Sequence, residues 1–62
     1  MIGDFLKALP EEQRLIFLRR YWYADPVRDI AQRYGIGESK VKVTLHRTRK
    51  KLKAYLMERE AL

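Results

Sequence analysis

Most of the side chains in this chain that can do chemistry are cations, and their spacing suits binding rather than bond making. Between Glu38 and Lys53 lie seven basic residues, Lys40, Lys42, Arg47, Arg49, Lys50, Lys51 and Lys53, against the single acid Glu38. Such a segment attracts a polyanion, and cations gathered along one helix are the electrostatic footprint of a nucleic-acid binder. The full 62 residues carry 14 Lys and Arg against 8 Asp and Glu, a formal charge of +6, so the overall balance favours the same partner. Catalytic parts are scarce. His46 is the only histidine, and nothing near it in sequence supplies a nucleophile or an orienting carboxylate. Glu11 and Glu12 are adjacent, so on a helix they splay about 100° apart and do not converge as an acid/base pair. Without cysteine there is neither a disulfide framework nor a thiolate metal site. Neither enzyme activity nor a metal or other cofactor is expected.

Cations that read a surface need a stiff element to aim them. The residues around 26–47 describe one, a helix-turn-helix. Ala31 is small where one helix must let the next cross closely. Gly35 ends that helix in the left-handed conformation that costs least without a Cβ. Ile36 is an apolar plug under the turn, and Val41 faces back into the angle between the helices. The second helix begins near Glu38 and runs to about Glu60. Val41, Leu45, Thr48, Leu52, Tyr55 and Leu56 form its inward stripe. Ser39, Val43, His46, Arg47 and Lys50 lie opposite, flanked by Lys40, Lys42 and Lys53. Val43 is apolar amid a basic face, which suits a thymine methyl in a major groove but equally an ordinary exposed valine. His46 reads either as a phosphate or base-edge contact or as a polar surface residue.

The rest of the chain must hold this unit steady. A short helix over Met1 to Leu9 is expected, with Asp4 as N-cap and Phe5, Leu6 and Leu9 as its apolar contacts. Pro10 opens a second helix, where its missing N–H is no loss, with Glu11 and Glu12 in the first turn and Arg19 and Arg20 in the last turns. On it, Leu15, Leu18 and Trp22 recur at helical spacing beside Tyr21 and are expected to pack inward, while Ile16 and Phe17 point elsewhere. That apolar excess is either covered by the first helix or forms part of a docking groove for another protein. Asp25 reads as the N-cap of the third helix, Pro26 as its first residue, and Val27, Ile30 and Ala31 as its buried side. Gly35-Ile36-Gly37 joins two helices and is no phosphate loop, since no strand precedes it. The expectation is one all-α domain over residues 1–62, a compact four-helix unit with a C-terminal helix-turn-helix. A chain this short buries only about 60% of its unfolded surface, so its core is marginal. No apolar run approaches the roughly 20 residues that span a bilayer, and no signal-peptide pattern opens the chain. It reads as soluble and intracellular, with no membrane partner.

Leu9-Pro10-Glu11-Glu12-Gln13-Arg14, Leu18-Arg19-Arg20-Tyr21-Trp22, Asp29-Ile30-Ala31, Gly35-Ile36 and Val41 through Leu52 together resemble the fourth region of bacterial RNA polymerase sigma factors. The likeness is closest to the small, extracytoplasmic-function type. It covers about Leu6 to Leu56, and Leu45-His46-Arg47-Thr48-Arg49-Lys50-Lys51-Leu52 is its most specific part. The resemblance implies a four-helix domain whose last helix enters the major groove of the promoter element near minus thirty-five. It implies base-edge contacts from Ser39, Lys42, Val43 and His46, and phosphate contacts from Lys40, Arg47 and Lys50. It also implies docking of the first two helices on the β flap of core RNA polymerase, an anti-sigma protein as a covering partner, and a bacterial, nucleoid-associated, cytoplasmic setting. Two positions depart from the pattern: Pro26 and Gly37 stand where the family commonly has capping Ser or Thr. The second region, which melts the promoter, is not in these 62 residues, so the chain reads as an excised domain or a stand-alone relative that cannot initiate transcription alone. Two rivals stay open: the four-helix DNA-binding output domain of another regulator, and a module that mainly binds the polymerase flap or an anti-sigma protein.

Overall fold

Four helices form in the order α1 (Ile2–Ala8), α2 (Glu11–Tyr21), α3 (Val27–Tyr34) and α4 (Glu38–Glu60), and local chemistry accounts for each break between them. The computed structural model describes the backbone of residues 2–60 and the side chains of residues 3–59. Met1 of the expected first helix, and residues 61 and 62 of the expected domain, lie outside the described residues.

The α3–α4 turn follows from Gly35. Its backbone is left-handed (φ 64°, ψ 37°), its N–H donates to the Gln32 carbonyl at 3.4 Å, and the Ile36 N–H donates to the Ala31 carbonyl at 3.0 Å. This pair of bonds is the Schellman motif, and Ile36 completes it by packing on the core that contains Ala31. The break between α2 and α3 uses a second left-handed residue, Ala24 (φ 58°), which no glycine signal marks in the sequence.

The expected starts of α1, α2 and α3 are each shifted. Asp4 lies inside the first turn of α1, because the helix is already under way at Ile2. Pro10 and Pro26 sit at the N-cap positions of α2 and α3 with extended ψ (148° and 151°), one place before the helical residues. Their carbonyls take the first helical bonds, from Arg14 and Ile30. Asp25 therefore caps nothing: its carboxylate turns back to Arg19 at 3.7 Å, and its N–H donates to the Arg19 carbonyl at 2.9 Å.

The core lies where α2, α3 and α4 meet. Ile16, Ile30 and Val41 are fully buried, with Ala31 and Leu45 beside them and Val27, Tyr34 and Ile36 packed against the cluster. Each large aliphatic side chain stabilises the fold by about 1.5–3 kcal/mol through loss of apolar surface to water. Thr48 is the one buried polar residue among those described, and its hydroxyl donates to the Thr44 carbonyl at 2.8 Å. The α2 expectation needs correction: Ile16 and Phe17 are the buried pair, while Trp22 is 79% exposed and Leu15 and Tyr21 are also exposed. Apolar residues surround α2 almost completely, so its periodicity alone does not select a stripe. Ile16 is selected because it meets α3 and α4 together.

At the far end, α1 closes on α4 through Phe5, whose ring lies 5.4 Å from that of Tyr55. Arg59 stacks on Tyr55, its guanidinium carbon 4.5 Å from the ring centroid, and the hydrogen bond it donates to that neighbour raises its guanidinium pKa further. Among the described residues no helix is long and apolar enough to cross a membrane.

Candidate nucleic-acid interface

The face that matters is the outer side of the first half of α4. Val41 and Leu45 are buried at one side of the helix, so the 3.6-residue period forces Ser39, Val43, His46, Arg47 and Lys50 to the opposite side. All five are exposed, as are Lys40, Lys42 and Lys53, so every expected site residue lies on the surface. Val43 is 46% exposed, an aliphatic side chain among cations and hydroxyls. The Gly35 turn and the Val41 contact fix the start of α4 across α3, which leaves that outer side free as a convex ridge.

The cations of the ridge are not equivalent. Lys40 Nζ sits 3.3 Å from a carboxylate oxygen of Glu12 on α2. Lys51 Nζ donates to Gln13 Oε1 at 3.1 Å, so the first turn of α2 engages two lysines of α4. Lys42 lies on the other flank. It lines a cleft of about 440 Å³ with Arg20, Tyr21, Val27, Leu45 and Arg49, a hollow holding three cations. Arg49 could have been found from sequence, since it follows Lys42 by two helical turns. Arg20 could not, because it arrives from α2 and no spacing along the chain links it to α4.

A second hollow of about 430 Å³ opens behind the ridge. Leu6, Phe17, Leu18, Tyr21, Trp22 and Leu52 line it together with Arg49, which it shares with the cationic cleft, and its walls are almost wholly apolar. Leu6 of α1 forms part of one wall, and the hollow remains open. Of the two residues expected to point away from the packed stripe, Ile16 is buried in the core with α3 and α4, and Phe17 is buried with its ring 4.7 Å from that of Tyr21.

Ammonium and guanidinium groups on a ridge hold phosphate oxygens and set register, whereas short outward side chains meet base edges. A helix diameter of about 10–12 Å matches the width of the B-DNA major groove, about 12 Å. The family model described as Sigma-70, region 4 matches residues 1–52, which takes in the whole ridge and both hollows. No curated protein and no solved structure matches the chain.

Proposed function

Since the chain belongs to the sigma-70 region 4 family, whose members are DNA-binding domains of sigma factors that work with RNA polymerase, we propose that it reads the promoter element near minus thirty-five as part of an extracytoplasmic-function-type factor. The observation that carries this reading is the exposed ridge of Ser39, Val43, His46, Arg47 and Lys50 on the buttressed half of α4. Ser39, Val43 and His46 meet base edges. Arg47 and Lys50 hold backbone phosphates, and Lys40 joins them by leaving Glu12. Lys42, which the resemblance assigns to a base edge, shares its cleft with Arg20 and Arg49, and that charge density suits a phosphate better. The unit that does this is the whole four-helix domain, with the helix-turn-helix proper over about residues 26–47.

The apolar hollow supports a second role for the same domain. Trp22, Tyr21, Leu18 and Leu52 are the kind of aromatic and aliphatic anchors that dominate protein interfaces. In this reading the hollow receives the β flap of core polymerase, and an anti-sigma protein would cover the same side.

Charge reversal separates the two roles. Lys42→Glu together with Arg47→Glu should abolish retention of labelled duplex DNA and leave capture by core polymerase largely unchanged. Trp22→Glu should do the converse. Duplex binding that survives the double reversal would remove the ridge from the reading, and polymerase capture that survives Trp22→Glu would remove the hollow.

A further inference from the structure

We propose that Glu12 is an internal stand-in for a DNA phosphate: it holds Lys40 in the free protein, and the duplex must displace it to gain that contact. The inference rests on the reading of α4 as the DNA-contacting ridge and adds a residue from outside it. Glu12 lies in the first turn of α2, where the positive end of the helix dipole favours a carboxylate whatever its partner. From there its oxygen reaches Lys40 Nζ at 3.3 Å. Both side chains are about half exposed (56% for Lys40 and 53% for Glu12), so the pair is open to a competing anion. Lys40 is next to Ser39 at the start of the ridge, within one turn of Val43. Lysine is a compact point charge that accepts a carboxylate or a phosphate oxygen with little geometric preference. The neighbouring Gln13 on Lys51 keeps this edge of α2 against α4, so Glu12 need not search for its partner. Glu11, one residue earlier and also exposed, makes no ion pair among the described residues.

An exposed pair of this kind is weak enough for a phosphate to win and strong enough to reduce affinity by roughly 1.5- to fivefold. The effect lowers affinity for every duplex by the same factor, because the displaced carboxylate competes with a phosphate that all sequences share.

Glu11 supplies the control, because Glu11→Gln and Glu12→Gln change the net charge equally and in the same helical turn. Affinity for one labelled duplex is measured at low salt for the wild type, both single variants, Lys40→Gln, and Lys40→Gln combined with each. Glu12→Gln should tighten binding about 1.5- to fivefold, clearly more than Glu11→Gln, and that excess should vanish in the Lys40→Gln background. Equal gains from the two glutamates, or an excess that persists without Lys40, would overturn the proposal while leaving the ridge intact. Absence of duplex binding by the wild type would instead overturn the ridge, and this proposal with it. All substituted residues are exposed, and a thermal melt of each variant checks that the fold is kept.

Discussion

At the scale of single residues, the division between inside and outside on α4 decides what the protein can touch. Val41, Leu45 and Thr48 are buried, so the side chains at the opposite phase stand in solvent whatever their chemistry. Among these, Val43 and Arg47 should separate by kind of contact. Val43→Ala removes apolar surface that only a base edge can use, and should weaken binding selectively where a thymine faces it, by about 1 kcal/mol at that step. Arg47→Ala should weaken all sequences alike and lower the salt dependence by about one phosphate. Titrations on matched and base-substituted duplexes distinguish these outcomes, and the reverse pattern would exchange the two roles. The ridge was legible in the sequence because, Val43 apart, the first half of α4 carries its apolar residues on one side. α2 offered no such contrast. With Leu15, Ile16, Phe17, Leu18, Tyr21 and Trp22 spread around it, only the third dimension could show that Ile16 faces the core and Trp22 the solvent.

At the scale of elements, two left-handed residues, Gly35 at the end of α3 and Ala24 in the connection from α2 to α3, make a paired test. Gly35 occupies its site without strain, and a Cβ added there would touch nothing within 4 Å, so Gly35→Ala isolates the conformational cost of about 1–2 kcal/mol. Ala24 already bears that cost at φ 58°, and Ala24→Gly should recover about 1 kcal/mol of it. In a domain this small the two changes should move the melting temperature in opposite directions, each by about 4–8 °C per kcal/mol. A fall on Ala24→Gly would mean that the methyl group makes a compensating contact. The Gly35 turn was legible because glycine there has one economical use. The Ala24 turn was not, since alanine carries no signal for a left-handed backbone. The caps were misplaced by a smaller margin and for a related reason: proline fits both the N-cap and the first helical position, and the sequence does not choose between them. Asp25 was drawn away by Arg19, a partner one helix earlier.

At the scale of the molecule, charge and crevices matter more than any one contact. A formal charge of +6 with its cations gathered on α4 should make duplex affinity strongly dependent on salt. If about four phosphates are neutralised, the logarithm of the affinity should fall with that of salt at a slope near −3.6. A flat response in a salt titration would remove phosphate neutralisation as the source of affinity. Net charge was legible from composition, but neither hollow was, because each is walled by side chains from separate helices. Arg20 meets Lys42 and Arg49, and Leu6 meets Leu18 and Leu52, only once the chain has folded.

α4 is a single unbroken helix of 23 residues, and it carries Val43 on its convex ridge and Leu52 in the apolar hollow. Nine residues separate them, which on an α-helix is about 13 Å along the axis and a net half turn around it. The rod is therefore a caliper. Whatever lies on Val43 and whatever lies on Leu52 are held back to back at a set offset, and one residue inserted between them would throw the two jaws about 100° out of phase.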